Sequence, residues 1–208
     1  MFDLDGTLVD SRNDLADSVN QTFRALGLPE KSRESLYGYV GNGVRRLISD
    51  AVGAAAAPGR LEEALRIFEA YYMDHLLDET CCYPGIQGVL DHFREKRKAV
   101  VTNKPVVYTA RILEGLQVDG SFDLVVASEA LTRLKPHPEM ILKTLEHFQT
   151  APERAVMIGD SPNDILAART AGVISCAVGY GLGRLESLMA AKPDLYAEKP
   201  EDLQRLFH

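Results

Sequence analysis

The sequence predicts an α/β protein: a parallel sheet buried on both faces, interrupted near its start by a helical insertion. Three observations carry that prediction. From Tyr83-Pro84-Gly85 onward, short apolar runs rich in valine and isoleucine alternate with amphipathic helical patterns. Those runs are continuously apolar rather than alternating, as in parallel strands covered on both sides. Residues from about 15 to 80 show helical periodicity alone.

Phe2-Asp3-Leu4-Asp5-Gly6-Thr7-Leu8 reads as the end of a strand breaking into a glycine turn. Leu15, Val19, Phe23 and Leu26 then recur at helical spacing behind Ser11 as N-cap, and Gly27 and Pro29 close the helix. Val44, Leu47, Ile48 and Ala51 share a face before Gly53. Leu61, Ala64, Leu65, Phe68 and Tyr72 share another after a linker over Ala54 to Gly59. Strands are expected at Ala99 to Thr102, Leu124 to Ala127, Val156 to Gly159, Ile174 to Val178 and Leu195 to Ala197. Helices between them are marked by Ile86, Val89, Leu90 and Phe93, by Ile112, Leu113 and Leu116, by Met140, Ile141, Thr144 and Leu145, and by Ile165, Ala168 and Ala171 before Gly172. The first strand is thus separated from the rest of the sheet by the insertion, which would act as a cap.

Composition narrows the function classes. The 208 residues are 46% hydrophobic and 25% charged, enough to bury a core. A net charge of −7 argues against a nucleic-acid partner, which needs a basic face. Neither a run of 18 apolar residues nor a charged segment followed by an apolar stretch is present, so no membrane partner is expected and cytoplasmic residence is the default. Cys81, Cys82 and Cys176 lack metal-type spacing and are read as reduced, structural residues.

In open parallel sheets ligands bind beyond the carboxyl ends of the strands. The residues there are Asp3 and Asp5, then Thr102 and Asn103, then Lys135, then Asp160 and Asp164. Two carboxylates at i and i+2 in extended chain share a face. Acids in this number suggest a hard divalent cation such as Mg2+, which takes oxygen ligands and keeps several waters. A carboxylate attacking a phosphate is repelled by roughly 4 kcal/mol per unit-charge pair at 4 Å and an effective dielectric of 20. Mg2+ and Lys135 would offset that repulsion, while Thr102 would orient phosphoryl oxygens.

Asp-Leu-Asp-Gly-Thr at 3 to 7, Val-Val-Thr-Asn at 100 to 103, Lys135, and Gly-Asp-Ser-Pro-Asn-Asp at 159 to 164 together resemble the four motifs of the haloacid dehalogenase (HAD) superfamily. The resemblance implies a Rossmann-like core over 1–14 and 81–208 with a parallel sheet, and a small helical cap domain inserted over 15–80. It makes Asp3 the nucleophile that forms an aspartyl phosphate, and Asp5 the acid and base, with its backbone carbonyl facing the metal. Asp3 and Asp160 become ligating carboxylates, Asp164 acts through water or by holding Lys135, and Thr102 and Lys135 clamp the phosphoryl group. True dehalogenases of the superfamily lack the second aspartate and need no magnesium, so Asp5 points to a phosphatase. Relatives of this family carry several apolar residues before the first aspartate, whereas here only two residues precede Asp3. The first strand is therefore expected to be incomplete, with neighbouring strands short of ladder partners and a melting temperature that rises when upstream apolar residues are restored.

Within the superfamily, the run from Tyr39 to Ile48, Tyr83-Pro84-Gly85, Val101 to Pro105 and Leu134 to Glu139 look most like the phosphoglycolate phosphatases. The substrate this implies is 2-phosphoglycolate; Asn103 is a candidate substrate contact, and Arg45, by its position in the insertion and its charge, is a candidate for the substrate carboxylate. A sugar phosphomutase, a pyrophosphatase or a non-catalytic binding protein of the same fold are the alternatives, and a monomer or homodimer is expected. Simpler readings stand beside these. Asp160 and Asp164 suit the start of the helix near Pro162, Arg45 and Arg46 suit a solvated helix face, and Tyr71 and Tyr72 suit packing within the insertion. His137 suits a structural loop. Gly179, Gly181 and Gly183 lack the dinucleotide-binding spacing and read as a plain loop.

Overall fold

A computed structural model of the chain describes residues 1–53, 59–128 and 133–207. Its strands are β1 (Val9–Asp10), β2 (Cys81–Cys82), β3 (Ala99–Val101), β4 (Leu124–Val126), β5 (Val156–Gly159), β6 (Ile174–Val178) and β7 (Leu195–Ala197). Its helices are α1 (Arg12–Ala25), α2 (Arg33–Tyr37), α3 (Val44–Val52), α4 (Arg60–His75), α5 (Ile86–His92), α6 (Val106–Gly115), α7 (Glu139–Phe148), α8 (Pro162–Ala171), α9 (Leu185–Ala190) and α10 (Leu203–Leu206). The expected linker over 54–59 lies, apart from Gly59, outside the described residues.

Parallel pairing joins β3 to β4, β5 to β6 and β6 to β7. The N-terminal segment 1–3 closes the gap between the two halves. Phe2 N donates to Ala99 O at 2.8 Å and Phe2 O accepts from Val101 N at 2.8 Å. On the other side Asp3 N donates to Ile158 O, and Ile158 N to Met1 O, both at 2.9 Å. The spatial order is therefore β4, β3, segment 1–3, β5, β6, β7. The expectation that neighbouring strands lack ladder partners is not met at these positions: Ala99, Val101 and Ile158 all bond segment 1–3, and Met1 N donates to Val156 O at 2.9 Å.

Val100, Val101, Met157 and Ile158 are buried, as continuous apolar strands between helices must be. One cluster, with Phe2, Leu4, Val100 and Ile158, continues into Leu15, Val19, Phe23, Phe68 and Tyr72 of α1 and α4, so sheet and insertion share apolar packing. A second, with Val101, Met140, Ile141, Met157 and Ala168, fills the space under α7 and α8.

The antiparallel pair β1–β2, which the sequence did not predict, joins the two ends of the insertion. Beside it, buried Asp14 accepts from Glu79 N at 2.9 Å, Thr80 N at 2.8 Å and Thr80 Oγ1 at 2.6 Å. Entry and exit of the helical segment are thereby tied together. α2, α9 and α10 also went unpredicted, being too short to show a periodic face.

Candidate active site

Segment 1–3, β3 and β5 run side by side, so Asp3, Thr102 and Asp160 emerge together at their carboxyl ends, all buried. Asp3 Oδ1 accepts from Leu4 N at 2.8 Å and lies 2.9 Å from Lys135 Nζ. The same ammonium donates to Asp164 Oδ1 and to Val101 O, each at 2.6 Å. Burial alone would lower the Lys135 pKa, but Asp164 and Asp3 outweigh it and hold the group above its ordinary value. With those three partners, Lys135 sets the position of the nucleophile candidate. Asp164 holds Lys135, one of the two roles implied by the resemblance. It also caps α8, its Oδ2 accepting from Ser161 N at 3.1 Å and Ser161 Oγ at 2.7 Å.

Asp160 stands against the turn after Asp5. Gly6 has φ +82°, and a Cβ there would lie 2.0 Å from Asp160 Oδ2, so only glycine fits. The glycine-containing loop after β6, read from sequence as plain, has a specific task. Leu182 N and Gly183 N donate to Asp160 Oδ2 at 2.7 and 3.0 Å. Asp3, Asp160 and Asp164 each offer a carboxylate oxygen within 4.8 Å of the others. Burial, reinforced by the neighbouring acids, raises Asp160 to about 8 and Asp3 to about 6, Lys135 opposing the rise at Asp3. Three buried carboxylates that share a single ammonium, Lys135, offer the oxygen donors a hard divalent cation takes.

The Asp5 carboxylate faces the other way, toward a second buried cation that sequence reasoning missed. Lys104 Nζ lies 3.0 and 3.2 Å from its two oxygens and donates to Tyr72 Oη at 2.7 Å. Ser11 Oγ donates to Asp5 Oδ1 at 2.5 Å, so Ser11 serves this carboxylate and gives α1 no side-chain cap. Burial would lower Lys104, yet Asp5 and Tyr72 keep it above its ordinary value, hence charged. The available signal was position: Lys104 follows Thr102-Asn103 at a strand end. Tyr72, expected only to pack, also presents its hydroxyl to this cluster, while Tyr71 stacks on His75 with centroids 4.0 Å apart.

Thr102 Oγ1 accepts from Lys104 N at 3.2 Å. Asn103 works between segments: its Nδ2 donates to Gly41 O at 3.1 Å and Lys135 O at 3.0 Å, and its Oδ1 accepts from Lys135 N at 2.9 Å. Asn163 Nδ2 bonds Asn42 Oδ1 at 2.9 Å, a second tie to the same insertion loop. Beneath that loop is a cavity of about 30 Å³, lined by Asp3, Asp5, Thr102, Asn103 and Lys104 from the sheet side and by Val40, Gly41, Gly43 and Val44 from the insertion. Arg45 does not line it. Its guanidinium makes 2.8 and 3.0 Å bonds to Glu62 and is 63% exposed, beside a neighbouring cavity of about 460 Å³. His137 Nδ1 accepts from Glu139 N at 3.2 Å, a loop contact. All three cysteines are free thiols, Cys176 buried and Cys81 exposed.

Residues 1–178 match the family model described as haloacid dehalogenase-like hydrolase. The chain is 39% identical over 189 residues to the phosphoglycolate phosphatase of Colwellia psychrerythraea, covering 87% of this chain and 84% of that protein. It is 35% identical over 208 residues to the phosphoglycolate phosphatase of Aquifex aeolicus, covering 99% and 94%. A crystal structure described as a predicted phosphoglycolate phosphatase from Haemophilus somnus superposes with a TM-score of 0.94 at 31% identity, covering 99% of this chain and 95% of that one. No helix among the described residues is long and apolar enough to cross a membrane. With an α/β core carrying its acids at the strand ends, this chain belongs to the haloacid dehalogenase-like hydrolase family and is an enzyme.

Proposed function

We propose that the protein is a Mg2+-dependent phosphatase that hydrolyses a small phosphate monoester, 2-phosphoglycolate first among them, through an aspartyl phosphate on Asp3. The observation that carries this reading is the pairing of two buried carboxylates with two separate buried lysines: Asp3 with Lys135 and Asp5 with Lys104. Each acid is thereby held for a different task.

Both contacts described at Asp3 fall on Oδ1. Oδ2 is the oxygen left to attack phosphorus in line with the leaving group. Thr102, whose Oγ1 accepts from Lys104 N, keeps its hydroxyl hydrogen for a phosphoryl oxygen. Asp5, entering the first half-reaction protonated, gives its proton to the departing ester oxygen and then, as a carboxylate, takes one from the water that cleaves the acyl phosphate, so that Asp5 ends protonated and Asp3 free. Asp3, Asp160 and Asp164 are the carboxylates that would hold Mg2+, with Asp5 contributing its backbone carbonyl. When bound, the ion supplies charge to offset carboxylate–phosphate repulsion. The helical segment over 15–80 serves as a cap. Its loop ties at Asn103 and Asn163 hold the insertion against the strand ends, which excludes bulk water from the acyl phosphate. The phosphoglycolate phosphatases among the relatives support the same substrate.

The test is phosphate release from a panel of phosphorylated C2 to C6 compounds with and without Mg2+. Phosphoglycolate should lead and Asp3→Asn should abolish turnover. Inactivity across the panel would sink the reading, and a surviving rate in Asp3→Asn would remove the nucleophile assignment.

A further inference from the structure

The cavity wall carries one cation among its described residues, and it is Lys104. Lys135 is absent from that wall, its Nζ being engaged by Asp3, Asp164 and Val101 O. Lys104 has three N–H bonds and two partner groups, the Asp5 carboxylate and the Tyr72 hydroxyl. The Tyr72 hydroxyl therefore fixes the ammonium from the α4 side. The rest of the wall is two acids, two polar side chains and the apolar or peptide surface of Leu15, Val40, Gly41, Gly43, Val44 and Leu47. An anionic group entering this space is repelled by Asp3 and Asp5 and finds compensation at Lys104.

We propose that Lys104 is the residue that selects the leaving group: its ammonium receives an anionic substituent carried one or two carbons from the ester oxygen, so the preferred substrates are phosphate esters of short hydroxy acids. This rests on the phosphomonoesterase reading above. The geometry follows from the pairing with Asp5. When the ester oxygen lies at Asp5 to receive its proton, a carboxylate one carbon away falls beside Nζ, which touches that same Asp5. A neutral alkyl ester of equal length gains nothing there. The ammonium reaches the site from β3 while Tyr72 comes from α4, so selectivity depends on the insertion being packed down.

The experiment compares 2-phosphoglycolate with ethyl phosphate, a two-carbon ester without the carboxylate, at saturating Mg2+. Lys104→Met should lower the ratio of kcat/KM values, phosphoglycolate over ethyl phosphate, at least tenfold, chiefly through the KM for phosphoglycolate. A loss that came only through misplacing Asp5 or loosening the fold would depress both esters alike, and an unchanged ratio overturns the proposal. Tyr72→Phe, which keeps the ammonium and removes one anchor, should lower the ratio at least twofold, and it decides the matter if Lys104→Met does not fold. A wild-type enzyme that hydrolyses both esters without preference refutes the role of Lys104 and leaves the phosphatase standing. A wild-type enzyme that hydrolyses no ester refutes both.

Discussion

Replacing Gly183 by alanine would place a methyl group 1.9 Å from the backbone oxygen of Asp160 and 3.0 Å from its carbonyl carbon. Both obstacles are main chain, so the loop after β6 must move rather than a side chain. A relief of more than 1 Å is needed to reach ordinary contact, and the bonds from Leu182 N and Gly183 N to Asp160 Oδ2, now 2.7 and 3.0 Å, would be stretched or lost. Overpacking of this kind costs roughly 1–3 kcal/mol, which for a chain of this size lowers the melting temperature by about 2–12 °C. If Asp160 holds Mg2+ as proposed, loss of the amides that orient it weakens metal affinity or activity by about 10–100-fold. Gly179→Ala is the control. Its Cβ would meet the hydroxyl of Tyr196 at 2.0 Å, the far end of a side chain that is 37% exposed and free to swing away. Thermal melts without metal, and phosphatase rates titrated with Mg2+, should show a large effect for Gly183→Ala and a small one for Gly179→Ala. Equal Mg2+ requirements in Gly183→Ala and the parent would refute the role given to the loop amides.

Asp14→Ala removes the acceptor for two backbone amides and one hydroxyl where the insertion returns to the sheet, each orphaned donor costing about 1–3 kcal/mol. Denaturant unfolding should report a loss of about 3 kcal/mol or more, with Asp14→Asn in between; a change below about 1 kcal/mol would deny Asp14 its tethering role. Burial pushes the Cys176 thiol up to about 12, so at pH 8 its thiolate fraction is about 10⁻⁴ and rises tenfold per pH unit. Titration of the native protein with an aromatic disulfide should therefore modify exposed Cys81 first and Cys176 only after denaturation. Simultaneous reaction of all three thiols would contradict the buried placement.

Much of the fold was legible because periodicity is a local property. The bounds of β5, β6 and β7 coincide with the expected strands, since their apolar runs end at polar or glycine residues. The faces marked by Val44 to Ala51 and Leu61 to Tyr72 became α3 and α4. The β1–β2 pair escaped because two residues carry no period, and its pairing joins positions more than 70 apart. Ser11 looked like a helix cap because its neighbours along the chain said so, and its hydroxyl went instead to Asp5.

What the sequence by itself determined is the alternation of strands and helices, and the identity of the acids after the strands: Asp3, Asp5, Asp160 and Asp164. Only the tertiary structure decided their partners. Lys104 reaches Asp5 across 99 residues of chain, Leu182 and Gly183 turn their amides onto Asp160, and Arg45 is taken up by Glu62 away from the cavity. The physical reason is that a strand end brings residues of a few segments together, but which donor meets which carboxylate depends on ångström-scale packing between segments that no local pattern encodes.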